Sequence, residues 1–283
     1  MNLALIDGDI LLYRCGFATQ RTRYRLGERL FPEGTTQLEL AKQGILDAEK
    51  YFEAEPIENS CHLLKTTLNK ILVATNSPMY ELYVSGGGPN FRHEVAKTTP
   101  YKGNRKADKP VNYVEMHRYL VEWWGASEVS EIETDDRLGI RQVECIESGQ
   151  PSIIVSIDKD LLQIPGKHYN FVVPSTVESV DPGTLSLSAN RRSLKGTGLK
   201  WFCAQMLLGD TADNIPGVPG IGPVGVFSAL GKLNTLKALQ KQVIKLYLEH
   251  GIENRLMEIA QLLWIQRKEN DSVVEYFPLF KEF

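Results

Sequence analysis

Acidic side chains recur in this chain where a strand would end or a helix would begin. Asp7 and Asp9 follow the apolar run Leu3 to Ile6, and Asp158 and Asp160 follow Ile153 to Ile157. Glu133, Asp135 and Asp136 open a helical stretch, and Asp210 and Asp213 stand in GDTADNIPGVPGIG, residues 209–222. Taken singly, each group has an ordinary explanation: Asp-x-Asp suits a solvated turn, and acids favour the positive end of a helix. Together they would crowd one sheet edge and raise one another's pKa values unless cations neutralised them. Carboxylate oxygens suit hard Mg²⁺ or Mn²⁺. Two such ions about 4 Å apart can activate a water and stabilise the leaving oxygen of a phosphodiester. Cys15, Cys61, Cys145 and Cys203 form no Cys-x-x-Cys pair and the five histidines are scattered, which disfavours zinc and points to reduced thiols.

Two further segments bear on phosphate chemistry. Lys97 to Pro110 carries Lys97, Lys102, Arg105, Lys106 and Lys109 against Asp108, a net +4 inside a chain of net −3. A charge run is most often a solvated face. Beside a carboxylate cluster, it would instead hold the phosphates that the carboxylates repel. The turn Gly217-Val218-Pro219-Gly220-Ile221-Gly222 precedes a helical segment. Glycine lets backbone approach closely and a helix start offers free N–H groups, so this turn suits a phosphate, with a plain Gly/Pro turn as the alternative.

The elements that would position these groups follow from hydrophobic pattern. Leu3 to Ile6, Tyr80 to Val84 and Ile153 to Ile157 are short apolar runs expected to be buried strands. Thr36 to Lys50, Leu63 to Thr75 and Thr134 to Glu147 have helical spacing, and residues 21–77 are expected to be largely helical. Alternating strands and helices imply an α/β fold with a mostly parallel central sheet and helices on both faces, with chemistry at the strand carboxyl ends. After Asn170 a Ser/Gly/Pro-rich stretch with Arg191, Arg192 and Lys195 leads into an apolar helix, Leu199 to Leu208. The expected division is an α/β part, 1–180, and a smaller helical part, 181–283. Composition is that of a globular chain, 42% hydrophobic and 24% charged. It has no apolar stretch near the ~20 residues that span a membrane and no secretory signal, so a cytoplasmic location is expected; a monomer is also expected.

DGDILLYR, FRHE, YKGNRK, ETDD, SIDKDLLQI and GDTADNIPGVPGIG occur here in the order seen in the 5′ nuclease, or flap endonuclease, family. The resemblance spans about residues 3–231, and with no polymerase part it resembles the stand-alone bacteriophage kind (host cytoplasm, if of phage origin). It implies a PIN-like 5′ nuclease fold, a helical arch near 97–130, and a helix–hairpin–helix-like region around residues 217–222. It implies metal carboxylates at Asp7, Glu133, Asp135, Asp136, Asp158, Asp160, Asp210 and Asp213, and phosphate contacts from Lys102 and Arg105. Arg14, Lys106, Gly217, Gly220 and Gly222 join the implied DNA contacts. The implied cofactors are two or more Mg²⁺ ions, with Mn²⁺ as substitute and K⁺ at the glycine turn. Two divalent ions would add roughly four charges and turn the formal −3 slightly positive.

The implied activity is 5′-3′ exonuclease and flap endonuclease action on DNA with 5′ ends, nicks or flaps, with RNA–DNA hybrids as a further substrate. Asp9 falls outside the family's ligand set and suits a turn. Ser85 stands six positions before Phe91-Arg92, where the family usually has another Asp. A DNA-structure-binding protein with impaired catalysis is therefore an alternative. A haloacid-dehalogenase-type phosphatase would explain DGD and GDTAD but not ETDD, DKD or YKGNRK. Trp123 and Trp124 are expected to be core residues.

Overall fold

The computed structural model describes residues 1–104 and 108–283. In chain order it begins with β1 (Leu3–Asp7), α1 (Gly8–Ala18), β2 (Gln20–Leu26), β3 (Arg29–Leu30), α2 (Gln37–Lys42), β4 (Glu49–Ala54) and α3 (Ile57–Ala74). Then come β5 (Met79–Ser85), α4 (Phe91–Val95), α5 (Tyr113–Trp124), β6 (Ser127–Val129), α6 (Thr134–Ser148), β7 (Ser152–Val155), β8 (Gly166–Asn170) and β9 (Ser175–Ser179). The remainder is β10 (Leu185–Leu187), β11 (Leu194–Gly196), α7 (Gly198–Leu208), β12 (Gly209–Asp210), β13 (Ile215–Pro216), α8 (Pro223–Leu230), α9 (Leu236–Glu249), α10 (Leu256–Leu263) and α11 (Val273–Tyr276).

The chain forms two compact units. The first holds Met1–Asp7, the segment starting at Leu72, and Ser127–Phe283. At its centre is a six-stranded sheet in the order β6-β5-β1-β7-β8-β9, parallel except for β9. Every residue of β1 (LALID) and β7 (SIIV) is buried, the continuous apolar run that a central parallel strand requires. Because β1 is parallel to both β5 and β7, their carboxyl ends share one edge. Asp7 ends β1, Ser85 ends β5, and Ser156 to Asp160 continue from β7. Helix α6 covers β1, β5, β7 and β8, with Leu138 and Cys145 packed on Leu3, Leu5 and Ile154.

The second core of this unit surrounds α7, whose Gly198 to Leu207 are all buried, so it is a helix enclosed on every side. Phe202, Trp264, Phe277 and Phe280 supply its aromatic packing. β7 to β9 and all later helices belong to one compact unit, a grouping different from the expected division near residue 180. Trp201 Nε1 donates to the Lys159 carbonyl at 3.0 Å, and Gln205 Nε2 to Asp160 Oδ1 at 2.7 Å, pinning α7 to the strand end.

The second unit, Gly8–Ile71 with the segment ending at Ala126, corrects the helical expectation for residues 21–77. Only Gln37–Lys42 of Thr36–Lys50 is helical, and β2, β3 and β4 form an antiparallel sheet. Tyr24, Phe31 and Leu40 make its small core. The alternation Arg21, Arg23, Arg25 opposite Glu53, Tyr51 and Glu49 is a strand period, with Arg23–Glu53 and Arg25–Glu49 ion pairs of 2.7 Å across the strands. Trp123 is 76% exposed on α5 rather than in a core, while Trp124 is half-buried.

Candidate active site

Four local structures bring the carboxylates of the first unit together. The end of β1 supplies Asp7, 3% exposed, which accepts from Ser156 Oγ at 2.7 Å. That hydroxyl also accepts the Asp158 N–H, and Asp158 Oδ1 accepts the Asp160 N–H at 2.8 Å, so the turn after β7 is built by its own acids. The first turn of α6 presents Glu133 and Asp135. The ribbon β12–β13 pairs Gly209 with Pro216 and Asp210 with Ile215, folding GDTADNIP into a tight turn that carries Asp210 and Asp213. A second segment is zipped to that turn: Lys102 N–H donates to the Asp213 carbonyl at 2.9 Å, Asn104 to Thr211, and Thr99 to Asn214.

Two ammonium groups sit among these acids. Lys102 Nζ lies 2.5 Å from Glu133 Oε1 and 3.8 Å from Asp213 Oδ2. Lys159 Nζ lies 3.2 Å from Asp210 Oδ2 and 3.5 Å from Asp160 Oδ1. Tyr101 donates its hydroxyl to Asp213 Oδ2 at 2.8 Å and also reaches Glu133 at 3.1 Å, while Asn90 donates to Glu133 Oε1 at 2.8 Å. Arg92, Tyr101, Glu133, Asp135, Asp160, Asp210 and Asp213 line one small cleft.

The electrostatics divide the acids into two groups. Burial pushes Asp135 well above the usual carboxylate range, and Asp158, Asp7 and Glu133 push it further. Burial likewise raises Asp158, and Asp213 and Asp210 add to it. Asp160 is raised to about 7 by burial and by Asp158. Burial acts upward on Glu133 too, yet Arg92 and Lys102 outweigh it and bring it down to about 2. At Asp210 burial also acts upward, but Lys159 and the Ala212 N–H outweigh it and lower the group.

Among the described residues no three His, Cys, Asp or Glu side chains are gathered closely enough to cage a metal ion as they stand. The all-oxygen donor set and its mutual repulsion nevertheless fit a hard divalent cation, and the two lysines hold acid pairs that such a cation would take.

Asp136 departs from the expected set. Its carboxylate is fully buried and accepts from Arg92 Nη1 at 2.5 Å, Arg92 Nη2 at 2.8 Å, the Gln266 N–H at 3.0 Å and the Glu133 N–H at 3.1 Å. No lone-pair direction remains for a metal. Arg92, which the sequence reading gave no role, also donates to the Leu262 and Trp264 carbonyls. Tyr101 and Lys159 were likewise missed, although each lies inside a motif already singled out, YKGNRK and SIDKDLLQI. Arg14 is an exposed residue of α1 in the other unit, and Asp9, at that helix's start, is half-buried. Arg105 and Lys106 lie outside the described residues. Ser85 is exposed at the end of β5, with the Gly87 N–H 3.4 Å from its hydroxyl.

The glycine turn also divides. A Cβ on Gly217 would meet Leu208 C at 2.3 Å and Leu208 O at 2.4 Å, so this glycine lets the turn cross the end of α7. Gly220, at φ +76°, and Gly222 face open space ahead of α8. Gly217→Ala is expected to lower stability by about 1–3 kcal/mol through overpacking. Gly222→Ala should leave the melting temperature within about 1 °C, a contrast that thermal melts of the two variants will check.

No protein-family model matches the chain. In sequence it is similar to a 5′-3′ exonuclease of Buchnera aphidicola subsp. Schizaphis graminum, 29% identical over 189 residues, 65% of this chain and 63% of that protein. It is 27% identical to DNA polymerase I of Streptococcus pneumoniae over 282 residues, 95% of this chain but 26% of the polymerase. The chain thus spans less than two thirds of these relatives' own length. In fold it is similar to the bacteriophage T5 D15 protein co-crystallised with metal ions, with a TM-score of 0.57, 14% identity and coverage of 100% of this chain and 97% of that one. A T5 D15 flap endonuclease complex with DNA and metal ions gives a TM-score of 0.54, 14% identity and coverage of 100% and 98%. The fold is therefore that of the 5′ nucleases, a mixed α/β architecture on a mostly parallel sheet. The chain thus resembles a bacterial 5′-3′ exonuclease in sequence and the bacteriophage T5 5′-exonuclease in fold.

Proposed function

We propose that the protein is a divalent-metal-dependent 5′ nuclease that hydrolyses phosphodiester bonds near the 5′ ends of DNA, at ends, nicks and flaps. The observation that carries this reading is the gathering of seven carboxylates, Asp7, Glu133, Asp135, Asp158, Asp160, Asp210 and Asp213, with Lys102 inside the group. Divalent cations bound by these acids would supply charge neutralisation and an activated water, a role Mg²⁺ fills well and Mn²⁺ can share.

The chain's own groups do the rest. Tyr101 and Asn90 hold Glu133 and Asp213 in fixed orientations, and Ser156 does the same for Asp7. Lys102, half-exposed beside the acids, can turn its ammonium to a phosphate oxygen and stabilise charge that develops there. Arg105, three residues on, is its proposed companion, with Lys106 of the proposed arch near 97–130 and Arg14 of α1 as further phosphate contacts. Gly220 and Gly222 offer backbone to the duplex, a contact that positions without reading sequence. In-line attack would leave a 3′ hydroxyl on the departing piece and a 5′ phosphate on the shortened strand. RNA–DNA hybrids belong to the same substrate class because the contacts fall on backbone.

The test is incubation with Mg²⁺ and a 5′-labelled flap, a nicked duplex and a hybrid, followed by product analysis. Short labelled products that vanish in EDTA are expected. Binding without cleavage would instead favour the impaired DNA-binding protein that Ser85 suggests.

A further inference from the structure

The basic residues Arg191, Arg192 and Lys195 take no part in the site described above. They lie on a hairpin, β10–β11, whose strands pair Leu185 with Gly196, Ser186 with Lys195 and Leu187 with Leu194. Leu194 is buried and Lys195 exposed, so the hairpin has an inner apolar face and an outer polar one. The inner face packs on α8: Leu185, Leu187 and Leu194 share a core with Val226 and Leu230 of that helix. The hairpin therefore stands beside the helix that the glycine turn opens.

Charge is distributed around this pair in one direction. From Pro182 to Leu248 the only carboxylates are Asp210 and Asp213, against eight Lys or Arg residues. From Gly209 to Gly231, which includes the glycine turn and α8, there is no Lys or Arg at all. The turn thus has no cation of its own, and the hairpin packed against its helix has three. Arg191, Arg192 and Lys195 are exposed, and among the described residues none of them has a carboxylate partner. Asp181, the acid that precedes the hairpin, is held by Arg267 at 2.6 Å and by the Leu199 N–H at 3.0 Å.

The tip is built rather than loose. Asn190 Oδ1 accepts the Arg192 N–H at 3.1 Å, Ser188 Oγ accepts the Ser193 N–H at 3.0 Å, and the Arg191 N–H reaches the Ser188 carbonyl at 2.8 Å. Arg191 takes a left-handed φ of +57° there. Two arginines on a braced tip and a lysine on the strand that follows, with hydroxyl and amide neighbours and no acid, match the phosphate backbone of a nucleic acid.

We infer that the β10–β11 hairpin is a duplex-backbone clamp, in which Arg191, Arg192 and Lys195 supply phosphate contacts that the cation-free glycine turn and α8 lack. This deepens the nuclease reading and rests on it for the identity of the duplex. The clamp acts on binding, so it affects substrate affinity and not the chemical step.

The experiment compares the wild-type chain with the triple variant R191A/R192A/K195A and with K42A/K65A/K70A, which removes the same charge from the other unit. Anisotropy of a labelled blunt duplex in EDTA, from about 50 to 200 mM salt, reads binding without any cleavage. Each lost phosphate contact should reduce the slope of log K against log salt by about 1, so the hairpin variant should lose roughly 2–3 and the control about none. On a flap substrate in Mg²⁺ the hairpin variant should raise KM about tenfold or more with kcat kept. Equal slopes in wild type and hairpin variant, an equal fall in both variants, or a loss of kcat instead of affinity would overturn the clamp. Unchanged melting temperature excludes misfolding, and single Arg→Gln changes at 191 and 192 give graded slopes if the triple variant unfolds. A wild type that binds duplex through the hairpin but never cleaves would defeat the nuclease reading and leave the clamp standing.

Discussion

Asp158→Asn is expected to abolish cleavage and, in EDTA, to raise the melting temperature. The loss of rate should be on the order of 10³-fold, the scale at which charge stabilisation in an enclosed site acts. The gain in stability follows from crowding. Asp158 is forced to ionise in a buried place near Asp210 and Asp213, and it is itself a leading cause of the raised Asp160 and Asp135. Asparagine keeps the oxygen that accepts the Asp160 N–H, so the turn survives while one charge goes.

The pH dependence has a definite sign. Asp160 titrates near 7 in the folded chain against about 3.9 unfolded. Its contribution is fully present below the unfolded value and is lost as pH rises through the folded one. Metal-free wild type should therefore melt at lower temperature as pH climbs from about 5 to 8. Glu133 is depressed to about 2, so its contribution is steady across that window. In Asp158→Asn the slope should flatten, and saturating Mg²⁺ should raise the wild-type melting temperature more than the variant's. Calorimetry with and without Mg²⁺ across that range checks this. A variant that still cleaves, or that melts below wild type in EDTA at pH 8, would remove crowding as the site's organising feature.

What was legible in the sequence tracks how local the signal is. LALI, YELYV and IIVSI are apolar runs too short for helices, and all three are strands of the parallel sheet. Their shared carboxyl edge made the meeting of Asp7, Asp158 and Asp160 foreseeable. Thr36 to Lys50 misled because its apolar spacing runs on past Gly44, whose left-handed φ of +75° follows the end of the capped helix Gln37–Lys42, into an edge strand, and the cross-strand Arg–Glu ladder is invisible without register. The packing of the later helices with the sheet was hidden for a related reason. A change in composition marked the hairpin, but α7 packs onto the strand-end turn through Trp201 and Gln205, contacts more than 40 residues apart in sequence. Lys159 carried a readable signal, a cation between two acids of DKD, that motif matching passes over.

Asp136→Ala, next to the Asp135 that faces the site, is expected to damage the fold rather than the chemistry. The Arg92 guanidinium and Asp136 carboxylate are 2% and 0% exposed, joined by two hydrogen bonds of 2.5 and 2.8 Å. The pair ties α4 to the first turn of α6 and, through the Leu262 and Trp264 carbonyls and the Gln266 N–H, to the end of α10. Removing one member leaves a buried guanidinium with no countercharge, a loss of about 3–5 kcal/mol. At roughly 2–4 °C per kcal/mol for chains of this order, the melting temperature should fall by about 10 °C. Arg92→Met combined with Asp136→Leu should cost less than Asp136→Ala alone, since replacing both charges by apolar volume avoids the orphaned ion. Asp135→Asn supplies the opposite pattern, cleavage lost on the order of 10³-fold with stability in EDTA kept or raised, because burial and the charges of Asp158, Asp7 and Glu133 all oppose its ionisation. If Asp136→Ala melted like wild type and lost cleavage as Asp135→Asn does, the assignment of Asp136 to the scaffold would be wrong. Two acids one position apart on a helix's first turn thus face different directions: one toward the cleft lined by the other acids, the other toward the arginine that holds that turn in place.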